Sequence, residues 1–159
     1  MKIATKLLFL IALSFTVGCQ AGNSAGDFPE GCVEQGVEFN GKNLVLGEGL
    51  YLFHNISDNS FWLNHPLTKD PGASAGWGSE IGAGNWSALA ISNDMKNFAI
   101  NCSTFGDAGV DYLNCEEVIK SCKIEKAAFN SGDSGSYWVA EDKPLQDLIE
   151  AIKGRGISW

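Results

Sequence analysis

Apolar positions along this chain fall in short runs of period two, broken every few residues by Gly, Asn, Asp, Ser or Pro. That spacing predicts strands and turns. "VEQGVEF" and "NLVLG" predict two short strands about Asn40-Gly41, a tight-turn dipeptide. "LYLFHNISDNSFWLNHP" predicts a hairpin turning at Asp58-Asn59. It would put Leu52, His54, Ile56, Phe61, Leu63 and His65 on one inward face, with Pro66 ending the second strand. Residues 68–85 read as a long glycine-rich loop. "WSALAIS" and "NFAINC" predict another hairpin around "NDMK". "EVIKSCKIEKAAF" holds one further strand or two, and "SYWVAE" follows as the last.

The pattern then changes period. Leu145, Leu148, Ile149 and Ile152 recur at helical spacing behind Pro144, which suits a first helical position. Glu141 and Asp142 would lie at the positive end of this helix, and Lys153 and Arg155 at the negative end. Gly154 or Gly156 would stop it, and "ISW" would dock on the sheet.

The first residues belong to another class. Lys2 and Lys6 precede an apolar run from Leu7 to Val17, the arrangement of an export signal and too short for a membrane span of about 20 residues. Two processing routes fit: "TVGC" resembles a lipobox that would lipidate Cys19, and Cys19-Gln20-Ala21 fits cleavage after Ala21. The expected organisation is an export signal over 1–21, a short tether over 22–31 and one disulfide-stapled β domain over 32–159. Removing Lys2 and Lys6 leaves nine basic side chains against nineteen acidic ones, so the formal charge moves from −8 to −10. That surface repels nucleic acid and anionic lipid.

Either route removes Cys19 from the thiol count and leaves Cys32, Cys102, Cys115 and Cys122. Four cysteines in an exported chain predict two disulfides. If "NFAINCS" and "VDYLNC" fold back about Ala108-Gly109, Cys102 faces Cys115 within bonding reach, which leaves Cys32 for Cys122. No Cys-x-x-Cys pair supports a zinc site.

"NSGDSGSYW", residues 130–138, contains the tetrapeptide found around the nucleophile of chymotrypsin-type proteases. Such chemistry also needs a histidine base and a buried acid. His54 and His65 are the two histidines of the chain, and neither lies in an "AAHC"-like segment. Gly, Asp and Ser are turn residues, so a hairpin loop between two strands explains the motif. No catalytic residue is assigned. His54 and His65, as diagonal neighbours in the hairpin above, would be near enough to share a metal with Asp58 or Glu80. Two hydrogen-bonded histidines at a core edge are the simpler reading, so no metal or other cofactor is expected. Trp77, in the loop "SAGWGSE", is a candidate contact residue because that loop offers no core to fill, and Ser134 and Tyr137 are further candidates. Asn55, Asn85 and Asn101 head glycosylation sequons, which chance explains.

"FPEGC", "LYLFHNIS" with "WLNHP", "GWGSEIGAGNWSALAI", "NFAINC", "GSYWVAE" and "AIKGRGISW" together resemble the small exported enhanced-entry protein B family of Legionella and relatives. The resemblance runs from Phe28 to Trp159. It implies an envelope or periplasmic protein linked to host-cell entry, and no enzyme. The expected fold is mainly β, a single antiparallel sandwich or partly open barrel with one C-terminal helix and two disulfides. The expected function is non-enzymatic binding of an envelope or host protein, with membrane attachment only through Cys19. The alternative is inhibition of a host hydrolase such as lysozyme, with the "SGDSGSYW" loop in its cleft.

Overall fold

The computed structural model describes residues 28–34, 38–40, 43–65, 78–92, 98–127 and 136–159, with backbone alone at 38–40. Along the chain come β1 (Cys32–Glu34), β2 (Glu38–Asn40), β3 (Asn43–Leu46), β4 (Gly49–Asn55), β5 (Phe61–Asn64), β6 (Gly78–Ile81), β7 (Trp86–Ile91), β8 (Phe98–Gly106) and β9 (Gly109–Leu113). A single helical turn, α1 (Cys115–Val118), leads into β10 (Ile119–Ile124). Then come β11 (Ser136–Lys143) and α2 (Leu145–Gly154).

Two strands decide the layering. Every residue of β4 and of β7 is buried, and a strand apolar at both parities needs cover on both faces. Tyr51, Phe53, Leu89 and Ile91 point into one cluster with Leu44, Phe61, Leu63, Phe98 and Ile100. Leu50, Leu52, Ala88 and Ala90 point into another with Val139, Leu148, Ile152 and Ile157. The first cluster is the sandwich core. The second lies between the outer face of one sheet and α2. That sheet runs β1-β10-β4-β7-β11, and the other runs β2-β3-β8-β5-β6 with β9 also beside β8. All pairings are antiparallel. The sheets do not close into a barrel, so the architecture is a mainly β sandwich with one C-terminal helix.

The β2–β3 turn stands as the sequence predicts, with Asn40 opposite Asn43. Three predicted hairpins do not. β4 and β5 lie in different sheets, as do β7 and β8. β10 and β11 share a sheet but are separated by β4 and β7, so these two strands do not pair as a hairpin; residues 130–135 lie outside the described residues. Both faces of β4 and β7 have to be covered, so strands that follow each other in the chain are placed in different sheets or apart in one sheet.

Asn55 builds the first crossing. Its buried amide Nδ2 donates to Asn59 O (2.8 Å) and Ile81 O (2.9 Å). Its Oδ1 accepts from Ser57 N (2.8 Å) and Ser57 Oγ (2.7 Å). Those bonds turn residues 56–60 across the layers, where Asp58-Asn59 alone would have made a two-residue reversal.

Both disulfides form as paired in the sequence: Cys32–Cys122 and Cys102–Cys115, with Cα atoms 5.5 and 5.3 Å apart. The register around the second differs from expectation. Gly106 faces Gly109 and Cys102 faces Leu113, so the turn is Asp107-Ala108 rather than Ala108-Gly109. Gly109 takes φ 117°, open to glycine and strained for other residues. The α1 turn then brings Cys115 back to Cys102. Two disulfides point to an oxidising, exported environment, and no described helix is long and apolar enough to cross a membrane.

Both ends of the described chain are fastened beside α2. Phe28 meets Trp86 edge-on at 6.2 Å, and Trp159 Nε1 donates to Glu30 O at 2.9 Å. Residues 28–31, the end of the expected tether, are therefore part of the folded body. Leu148 and Ile152 are the buried stripe of α2, and Ile157 is buried beside them. Glu141 and Asp142 lie in β11 just ahead of the positive end of α2, whose N-cap is Pro144.

Candidate functional site

The outward face of the second sheet carries an apolar surface. Alternation in β5 sends Phe61 and Leu63 into the core, so Trp62 and Asn64 point out. Ser103 lies opposite Trp62 on one side and Tyr112 on the other, and Phe105 lies opposite Val110. Directly opposed residues share a face, so Trp62, Phe105, Val110 and Tyr112 form one patch. Phe105 is 61% exposed, and Val110 and Tyr112 are each 47% exposed. Trp62 meets the Phe105 ring edge-on, at 5.8 Å and 84°. Asn64 Nδ2 donates to Ser103 Oγ at 2.7 Å, which satisfies the polar floor beside the rings.

Exposed acids border this patch. Glu80 is paired opposite Trp62 and Asp107 is in the turn of the arm, while Asp111, opposite Thr104, points to the other face. No Lys or Arg occurs in β5, β6, β8 or β9.

His54 is in β4 of the first sheet and His65 just follows β5 of the second, each stacked on a different ring, which removes the shared-metal geometry. His54 is on the α2 side, 7% exposed and stacked on Trp86 at 4.3 Å. Burial holds its imidazole below the usual range; a backbone hydrogen bond at Gly84 opposes this, and the charge of Lys120 adds to it. His54 Nδ1 is buried with no hydrogen-bond partner among the described residues. His65 stacks on Phe98 at 3.9 Å, and its Nδ1 lies 2.7 Å from Ala99 O. Glu80 is on the outer face of the second sheet and joins neither. Among the described residues no group of three or more His, Cys, Asp or Glu side chains has metal-binding geometry.

A polar knot ties β11 to the β6–β7 turn. Asp142 Oδ1 accepts from Gly82 N (2.8 Å) and Asn85 Nδ2 (2.9 Å). Asp142 N donates to Ser87 Oγ (3.1 Å), which meets Ser79 Oγ at 2.9 Å. Asp142 itself takes φ 44°, the left-handed region. The knot sits where the β11 register shifts against β7, and its bonds all hold backbone or neighbouring side chains in place.

Of the candidates read from sequence, Tyr137 is half-buried against the cluster under α2. Cys19, Trp77 and Ser134 lie outside the described residues. The sequon residue Asn55 is fully buried and engaged. With Phe61 and Leu63 inward, the alternation already turns Trp62 outward; what it does not show is that β8 and β9 bring Phe105, Val110 and Tyr112 beside it. The available signal was "GVDYL", where Val110 and Tyr112 alternate with Asp111 after the glycine-flanked turn Asp107-Ala108.

No family model matches the chain, and neither a curated protein nor a solved structure gives a significant match.

Proposed function

We propose that the chain is an exported, non-enzymatic binding protein of the cell envelope that acts by docking a protein partner on the outer face of β5, β8 and β9. The observation that carries this reading is the patch in which half-buried Trp62 meets exposed Phe105, Val110 and Tyr112. Its most exposed ring, Phe105, supports no strand of the core. Contiguous exposed apolar side chains on a small domain mark interaction sites more often than accidents of packing, and aromatic residues are favoured anchors. The resemblance to enhanced-entry proteins is consistent with this reading and would place the partner in the envelope or on a host cell.

Inhibition of a basic host hydrolase such as lysozyme is a second form of the same reading, favoured by the acidic border of the patch. A lysozyme assay with added protein tests it, and full activity at micromolar protein removes it.

The docking reading is tested by a photo-crosslinking amino acid in place of Phe105, in producing cells and in host cells exposed to the protein. A discrete protein adduct at that position, absent when the probe replaces exposed Glu150 on α2, is the expected result. Equal labelling at both positions, or none at Phe105, overturns it.

A further inference from the structure

The chemistry of the patch narrows the kind of partner, on the premise that this face is the docking site. We infer that it takes a basic polypeptide segment presenting an aromatic or branched aliphatic side chain between Lys or Arg residues. Three observations lead there. First, Trp62 and Phe105 meet at 84°. They make a notch rather than the flat platform on which a sugar ring stacks. Second, Phe105 and Val110 have no polar group, so the notch rewards an inserted apolar side chain and offers little to hydroxyls. Third, Glu80 and Asp107 are exposed around it, and the four strands beneath hold no Lys or Arg. Charge complementarity selects partners and speeds their encounter. A cationic rim on the partner therefore fits, and an acidic partner is repelled. The same border disfavours a second copy of this strongly acidic chain, because two such rims would meet like to like.

The test pans the oxidised protein against a phage-displayed library of random peptides, then measures the affinity of synthetic copies of those enriched. Enriched sequences should carry Lys or Arg around an aromatic or branched aliphatic residue. Their affinity should fall by about tenfold or more both for Phe105→Ser and for the Glu80→Lys/Asp107→Lys double variant. Glu150→Lys, on the exposed side of α2, should leave it unchanged. Neutral or acidic enriched sequences, or affinities indifferent to the charge reversal, overturn the basic-partner inference. If Phe105→Ser still abolishes that binding, the docking reading survives. Peptides that ignore Phe105→Ser, or a library that yields no binder, overturn both. Sedimentation of the protein alone closes the remaining route: a dimer dissolved by Phe105→Ser would make a second copy the occupant and overturn the inference.

Discussion

His54 lies directly across from Trp86 in the β4–β7 pair, and their rings stack with centroids 4.3 Å apart and planes within 4°. The pair sits under Phe28, so it links the start of the described chain to the middle of a sheet. Burial, with Lys120 opposite His54, disfavours the imidazolium.

A pH dependence follows. In the unfolded chain His54 takes up its proton near pH ~6.5; in the folded chain it does so only at lower pH. Between those values the unfolded state binds more protons, so stability rises with pH through the window and falls as pH drops below about 6.5. His54→Phe keeps a ring on Trp86 without a titrating group. Urea midpoints of this variant should be flatter between about pH 5 and 7 than those of the parent. Parallel profiles would assign the acid sensitivity elsewhere.

The two disulfides should differ in value. Cys32–Cys122 closes 90 residues and Cys102–Cys115 closes 13. Loop-closure entropy gives about 4.6 kcal/mol for the first and about 2.9 kcal/mol for the second. Paired Cys→Ser variants, compared by thermal unfolding, should lose more stability at Cys32/Cys122. The reverse order would mean that the reduced chain already holds its ends together.

Asn55 should be the most sensitive polar residue of the core. Asn55→Ala leaves Ile81 O without its buried donor and releases the 56–60 crossing, at a cost of about 1–3 kcal/mol in denaturant unfolding. Ser57→Ala removes only one of the four bonds and should cost about 1 kcal/mol or less.

Asp142 is a test of backbone strain against hydrogen bonding. Asp142→Gly relieves the left-handed φ but gives up the bonds from Gly82 and Asn85. Asp142→Asn tolerates that φ and retains one acceptor oxygen. Asn should therefore be the milder change and Ala the harshest of the three, with the whole series within about 2 kcal/mol because the site is exposed. Chemical denaturation of the three variants ranks them; Ala as the mildest would remove the knot from the stability of β11.

Local signals in the sequence carried well and pairwise neighbours carried less well. The period of α2, the Asn40-Gly41 turn and both disulfide pairings needed only short-range spacing or parity. Cys102 and Cys115 met even though the turn was placed one residue late, because α1 supplies the return that a longer hairpin would have given. The β4–β5, β7–β8 and β10–β11 neighbours were misread for one physical reason. Adjacent strands with a short link normally pair, yet "LYLFHN" and "WSALAI" are apolar at both parities. That is the mark of central strands covered on two sides, and it forces the chain to cross layers. The outer patch was hidden for another reason: the alternation that turns Leu63 in and Trp62 out is local, but the pairing that sets Phe105, Val110 and Tyr112 beside Trp62 is not.

The central claim is that Phe105, Val110 and Tyr112 serve a surface and not the fold. Urea unfolding of the Phe105→Ser/Val110→Ser/Tyr112→Ser variant, beside Phe61→Ala from the facing side of β5, tests it most directly. The expected result is a surface variant within about 1 kcal/mol of the parent and a Phe61→Ala loss of about 3–5 kcal/mol. A surface variant as damaged as Phe61→Ala would make the patch part of the core and contradict the account.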